Sequence, residues 1–520
     1  MAKEILFKSE GREKMKSGID KIVDAIKSTM GAAGRNVFLW RQFGAPHNTN
    51  DGYTIAKEIK FLDPVEDMGA QLVKEVAKKT VDEAGDGTSG ASLLLQSIIA
   101  HGMDKVKQGC NVMNLKRGMQ KGVDAIINKL KQLSIPADSD EKIIQIATIS
   151  ANNDREIGEK IAEAVKEVGK NGLITVEEGR GYKTEVEYAD GMKLDNGFST
   201  PHFINHNSKP VCDLFEPYIL VYDAVNKVTD QKEIVPICEE MIKQGKSLLI
   251  IANVDGGALD ALLINKTRGV IQVCAVNTFN HEIMEDIAAV TGATYISRNT
   301  NIKLKEVKIQ HLGRAERISV SATNTEIING YGTEDAIKKR IAQIESAIEA
   351  SVSEFDTKNL KERLAKLDAG VAIIKVGGKT ETEISEKKDR VDDAKCATIA
   401  ALEEGYVAGG GTTFLHCIES INDVEYENED ERAGAEIIRK AIQYPFSQIL
   451  TNAGLASNDY APQIAMKPYG WGVNVRNNKV ENLLETGVID PTKVLRCSLE
   501  NAASVAALFL TTECIVTENI

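Results

Sequence analysis

The stretch Ala84-Gly85-Asp86-Gly87-Thr88-Ser89-Gly90-Ala91-Ser92 decides how this chain is read. It lies between two apolar helical segments. Before it, Val65, Met68, Leu72, Val73 and Val76 keep a 3.6-residue period; after it, a second helix is expected over 89–100. Glycines at 85, 87 and 90 let the backbone approach a ligand closely. Thr88 and Ser89 add hydroxyls, and the next helix opens with unpaired N–H groups at the positive end of its dipole. Asp86 sets a carboxylate beside that anion site, which suits a cation such as Mg²⁺ bridging to phosphate. A plain glycine-rich turn between helices, with a capping aspartate, also accounts for these residues. A Walker A loop is excluded, because no Gly-Lys-Ser/Thr follows.

Two more glycine turns flank helical segments, Met30-Gly31-Ala32-Ala33-Gly34 and Val407-Ala408-Gly409-Gly410-Gly411. Each alone reads as a helix terminator. Together with Asn50-Asp51-Gly52 and Asp490-Pro491 they suggest one composite nucleotide pocket, whose convergence spacing cannot show. A helix over 384–405 carries Arg390-Val391-Asp392-Asp393-Ala394-Lys395-Cys396, and its adjacent acids point about 100° apart, so one can face solvent and the other a ligand. His202 and His206 are four apart, but their segment looks extended and no third ligand completes a metal set. His416-Cys417 has no third group either, and reads as ordinary helix.

The rest of the chain orders these turns. Helices fill the first 130 residues, the last of them over 115–133. β-rich runs at 247–252, 270–276 and 293–297 alternate with helices at 233–244 and 258–265, an α/β pattern. Helices return after 338 and dominate from 384 onward, with polar interruptions at 422–432 and 467–479. The ends can therefore form one helical domain with an α/β domain inserted between them. Lys and Arg number 63 against 76 Asp and Glu, a net charge of −13, which argues against nucleic acid as the main partner. The apolar runs 248–252 and 505–510 fall well below the roughly 18 residues of a membrane span, so no membrane insertion is expected. No secretory signal opens the chain, and eight scattered cysteines without a CxxC pair suit free thiols in a reducing compartment, with the cytoplasm the default.

These segments resemble the group I chaperonins, the GroEL family, over essentially the whole chain. The matching stretches are GRNVFLWRQFGAP, NDGYTIAKEI, DMGAQLVKEVA, AGDGT, ISANND, VGKNGLITVEEG, RVDDA, EEGYVAGGG and GVIDPTKV, in family order and spacing. The resemblance implies a multidomain α and α/β fold. A mostly helical equatorial domain would span 1–132 and 404–520, a small intermediate domain 133–189 and 372–403, and an α/β apical domain 190–371. Gly191 and Gly370 would be apical hinges. It implies ATP, Mg²⁺ and K⁺ as cofactors. Asp86 would ligate the metal, with Gly87, Thr88, Ser89 and Gly90 around the phosphates. Thr29, Met30, Gly31 and Ala32 would wrap the nucleotide, and Gly410, Asn474, Val475, Arg476 and Asp490 would take its ribose and base. Asn50 would offer its carbonyl to K⁺. Asp393 would position the attacking water, with Asp51 assisting. Phe198, His202, Phe203, Val235, Cys238, Leu259, Leu263 and Ile264 would form the apical groove for non-native polypeptide and a GroES-type co-chaperonin. The assembly would be a homo-oligomeric ring, heptameric, single or double.

The chain departs from the family in places. The first turn usually reads Gly-Pro-Lys-Gly and is Gly31-Ala32-Ala33-Gly34 here, and the lysine before Asp51 is Asn50. An apical PGFGDRR-type segment is replaced by the shorter run 277–283. Ser447 and Ala456 stand where the family has an arginine and a glutamate between rings, and a lysine–glutamate pair becomes Asp104 and Glu429. The expected activity is ATP hydrolysis driving protein folding in a closed chamber. The rival is a non-cycling holdase or scaffold that keeps the fold. A small-metabolite phosphotransferase is a distant third.

Overall fold

The computed structural model describes residues 3–518 apart from 41–45, 152–153, 170–172, 180, 190, 207–209, 224–226, 279, 298–299, 301, 352 and 369. Parts of the quoted stretches at 41–45, 152–153 and 170–172 lie outside the described residues. The chain divides into two compact units, 1–162 with 378–520, and 163–377.

In the first unit, helices Lys8–Ile26, Pro64–Ala84, Thr88–Lys107, Val112–Leu133, Glu429–Ala441 and Thr492–Thr511 share one apolar core. Their ends are written locally. Asp63 caps Pro64–Ala84 by accepting from the Val65 and Glu66 N–H groups, with Pro64 in the first turn, and Asn111 caps Val112–Leu133 in the same way. Helix Thr492–Thr511 is long and apolar enough by length and composition to cross a membrane. That was not evident from the short run 505–510. Most of its apolar window, 61%, is buried, and Leu499, Ala502, Ala506 and Leu510 belong to the core, so it packs as a central core helix. Strand Lys3–Phe7 pairs antiparallel with Cys514–Glu518, and Tyr406–Ala408 pairs with Ile489–Pro491. The polar run after 467 forms the hairpin Trp471–Asn474/Lys479–Asn482, and that at 422–432 is loop until Asn428 caps Glu429–Ala441.

The second unit is built on a seven-stranded sheet. Strands Tyr218–Val221, Leu248–Ile251 and Val273–Val276 are parallel and buried along their length. Helices Gln231–Gln244 and Gly256–Thr267 connect them, as βαβ units require. Gly313–Val320, Thr325–Gly330 and Gly191–Leu194 continue the sheet antiparallel. The strand expected at 293–297 does not form; only Ile296 makes an isolated bridge, to Tyr222 just past the end of the interior strand Tyr218–Val221. A three-stranded sheet joins Leu173–Glu178, Val371–Val376 and Glu185–Ala189. Asp286, with no exposed surface, is gripped by Arg340 at 2.6 Å and Arg363 at 2.9 Å, which ties helices His281–Thr291, Glu334–Ala350 and Glu354–Asp368 together. The fold class is multidomain α and α/β, as expected.

Candidate functional site

Helix Pro64–Ala84 stops at Gly85 in the left-handed conformation, φ 72°, and helix Thr88–Lys107 begins from Gly87, φ 91°. A β-carbon on Gly87 would sit 2.6 Å from Val494 Cγ1 and 2.8 Å from Ser498 Oγ, so only glycine fits this corner. Asp86 lies between them and accepts from the Gly87 N–H. No side chain caps helix Thr88–Lys107, which leaves its first-turn amides free for an anion. The space over Gly90 is open, with no heavy atom within 4 Å of where a β-carbon would stand.

The other turns come to this loop. Thr29 closes a short 3₁₀ turn after Lys8–Ile26, and its Oγ1 lies 3.2 Å from Ser89 Oγ. Met30 and Gly31 follow, and the Gly31–Gly34 turn is closed by a Gly34 N–H to Gly31 carbonyl bond of 2.9 Å, with Ala32 exposed. Asp51 caps helix Gly52–Glu58, accepting from the Tyr53 N–H at 3.2 Å and the Thr54 N–H at 2.8 Å. Gly52 lies directly against the Thr88 and Ser89 hydroxyls. Asn50 is half-buried beside it. Residues 29–31, 50–52 and 86–90, separate in sequence, therefore meet.

Four aspartates converge on the same place. Asp86, Asp393 and Asp490 each keep some surface open to solvent yet sit deep among protein atoms. Burial raises the Asp86 carboxyl, and the charge on Asp51 raises it further against the Gly87 N–H. Burial also lifts Asp393 well above the usual range, reinforced by Asp86, then Asp51, Asp392 and Asp389. Burial and the Asp86 charge push Asp490 to about 7, opposed by the Gly410 N–H. No lysine or arginine among the described residues figures in setting these three carboxyls. Like charges gathered without a counter-ion fit a divalent cation, and the adjacent free amides fit phosphate. Among the described residues no three acidic, histidine or cysteine side chains stand close enough to hold a metal by themselves, so the arrangement suits a cation that arrives with phosphate.

The residues expected to take the ribose and base are Gly410, Asn474, Val475, Arg476 and Asp490. Strand pairing sets Asp490 opposite Val407, and Gly410, φ 65°, opens onto a space whose nearest atoms are Thr412 Oγ1 and the Val473 carbonyl, both at 4.0 Å. Asn474 ends the strand containing Val473. Its amide donates to Glu481 at 2.7 Å while its oxygen accepts from the Arg476 N–H. Val475 packs beside Phe446, Leu450 and Ile464, and Arg476 is exposed.

Two neighbours were not visible in the sequence. Ser498 donates to the Gly87 carbonyl at 3.2 Å, and Cys396, one turn after Asp393, packs against Gly85 with its thiol pushed up by burial to about 11. Cys396 shares its helix with Asp393, which was a usable signal; nothing in sequence spacing ties residue 498 to residue 87.

In the second unit, Phe203 and Cys238 are turned into the core. Phe198, Leu259 and Leu263 are half-buried against that core, Val235 is half-buried, and His202 and Ile264 reach solvent. These six residues remain available for a surface.

The profile of the TCP-1/cpn60 chaperonin family matches residues 22–519. Among solved structures, the chaperonin gp146 from the bacteriophage EL 2 (Pseudomonas aeruginosa), in the presence of ATP-BeFx, superposes with a TM-score of 0.70 at 20% identity, covering 99% of both chains. A second crystal form of that protein gives 0.65 at 19% identity, again over 99% of each chain. At such identity the likeness speaks for the fold, and the family match speaks for descent. The chain belongs to the TCP-1/cpn60 chaperonin family.

Proposed function

We propose that this chaperonin is of the group I type, hydrolysing ATP and using the cycle to capture and release non-native polypeptide. The observation that carries the reading is the gathering of Asp51, Asp86, Asp393 and Asp490 around the uncapped start of helix Thr88–Lys107. Bound Mg²⁺ would supply the positive charge that this cluster lacks and that a transferring phosphoryl group needs. Asp86 would hold it. The Gly87–Gly90 backbone with Thr88 and Ser89 would hold phosphate oxygens, residues 29–32 would wrap them, and Gly410, Asp490 and 474–476 would take the sugar and base. The Asn50 carbonyl would accept K⁺.

Asp393 would orient the attacking water. It can do so only as a carboxylate, and burial together with its acidic neighbours holds it toward the protonated form until the cluster is neutralised. Turnover therefore waits on loading. Asp51 is fixed by two backbone N–H groups and would assist as a rigid carboxylate. A phage chaperonin of the same fold was crystallised in the presence of ATP-BeFx, which supports nucleotide binding as such.

The three-domain division at 132/133, 189/190, 371/372 and 403/404 belongs to the same proposal, as do the apical groove, a GroES-type cap and a cytoplasmic setting. A ring is supported by apolar side chains on short, open-edged strands. Phe38 is 72% and Trp40 81% exposed on and beside the hairpin Val37–Leu39/His47–Thr49, and Ile5, Phe7 and Val516 are exposed on the terminal ribbon.

The test is steady-state ATP hydrolysis with Mg²⁺ and K⁺, run together with particle mass. Slow turnover on rings, lost in Asp393→Ala while nucleotide still binds, is the expected result. Intact rings without turnover would overturn it in favour of a holdase, for which the lysine-free turn at Ala32 is the motive.

A further inference from the structure

The turn 30–34 is closed from within by the Gly34 N–H to Gly31 carbonyl bond and spanned by the Arg35 N–H to Ser28 carbonyl bond, both at 2.9 Å. Ala32 and Ala33 bring neither a ring to stiffen the backbone nor a charge to meet phosphate. Helix Lys8–Ile26 and its 3₁₀ extension end here, and local donors meet their last carbonyls: the Ser28 and Thr29 hydroxyls to Ala25 and Ile26, and the Met30 and Arg35 N–H groups to Lys27 and Ser28. A further donor reaches them from a segment more than 400 residues away in sequence. Asn452, last residue of helix Tyr444–Asn452, donates its amide to the Lys27 carbonyl and to the Met30 carbonyl, both at 2.9 Å.

The orientation of that amide is itself determined. Gln448, one turn earlier on the same helix, donates to Asn452 Oδ1 at 2.7 Å, which leaves only the Nδ2 side to face the two carbonyls. Ile449 completes the support. Gly31 adopts φ 79°, and its α-carbon lies so close to Ile449 that a β-carbon would stand 2.9 Å from Ile449 Cγ2. One face of this nine-residue helix thus grips Lys27, Met30 and Gly31.

We propose that Asn452, oriented by Gln448, is a positioning residue for the nucleotide turn, setting where Met30 and Gly31 stand against the ligand. The inference rests on the nucleotide reading above. It assigns Asn452 no contact with the ligand and no part in the chemical step. Its loss should therefore weaken ATP capture more than it slows hydrolysis of ATP already bound, because Asp393 and Asp86 are untouched.

The experiment is ATP titration of the full-length assembled protein, giving KM and kcat, with direct binding of a non-hydrolysable ATP analogue. Asn452→Ala should raise KM and the analogue's Kd about tenfold, as expected for two lost hydrogen bonds, with kcat at saturation within about twofold. Gln448→Leu, which frees the amide to turn without removing it, should move the same two constants in the same direction by a smaller factor, and it carries the test if Asn452→Ala does not assemble. Unchanged KM and Kd in the assembled variants, or an equal fall in kcat and kcat/KM, overturns the proposal. Wild-type protein that binds no analogue overturns the nucleotide reading instead, so the two failures are told apart.

Discussion

Replacing Asp490 by asparagine removes one charge from the carboxylate cluster and nothing else of that size. The side chain accepts from the Gly410 N–H, which an amide oxygen can also do. With its carboxyl pushed from 3.8 to about 7 by burial and by Asp86, Asp490 stays protonated in the folded chain where the unfolded chain has already lost that proton. The folded form then binds more protons, so stability falls as pH climbs from about 4 to about 7 and is level above that. The shift corresponds to a ceiling of about 4 kcal/mol at about 1.4 kcal/mol per pH unit. Halved for the solvent that still reaches the carboxyl, about 2 kcal/mol remains. For a unit of about 300 residues this is about three degrees in melting temperature. The assay is a melting curve at fixed scan rate, without nucleotide or divalent cation, at about pH 4 and about pH 8. Asp490→Asn should melt with wild type at the low pH and about three degrees above it at the high pH. An equal offset at both pH values would refute the reasoning, since an uncharged packing effect does not titrate.

Three further outcomes follow from named contacts. Gly87→Ala forces a β-carbon onto Val494 and Ser498 in a left-handed backbone, which should cost about 1–3 kcal/mol and weaken ATP-analogue binding, read by calorimetry. Asp286→Ala removes the carboxylate that Arg340 and Arg363 share and leaves them with Glu285 and Glu282, so the second unit should lose about 1.5–3 kcal/mol and become the first site of limited proteolysis; an unchanged cleavage pattern would count against the clamp. Ser447 and Ala456 carry no charge where the family pairs an arginine with a glutamate, and although such a pair contributes only about 0–1 kcal/mol, every subunit repeats the loss. Analytical ultracentrifugation at low protein concentration should therefore show single rings, and double rings alone would refute this.

What could be read from the sequence was whatever depends on neighbours along the chain. The helix before Gly85 and the glycine corner at 85–87 are local and form as expected, and the Asp63 cap and Pro64 that open that helix are just as local. From its own residues Asp393 was legible only as one of two adjacent acids, and the family resemblance made the choice; the coupling of Asp393 to Asp86 and Asp51 appears only in the fold. Helix Thr492–Thr511 shows the opposite failure: its composition satisfies a membrane test, and only the helices packed around it reveal a core element. Phe203 belongs to the second unit's core although its motif suggested a groove, because side-chain direction in a 3₁₀ turn is settled by what lies beneath it. Asn452 was the least legible of all. It is a polar residue at a helix end, ordinary by every local rule, and its significance lies in the Lys27 and Met30 carbonyls, more than 400 residues away. The turn without proline and lysine keeps its own closing bond from Gly34 to Gly31, and the bonds from Asn452 add a hold on Lys27 and Met30 from a helix that no local rule ties to them.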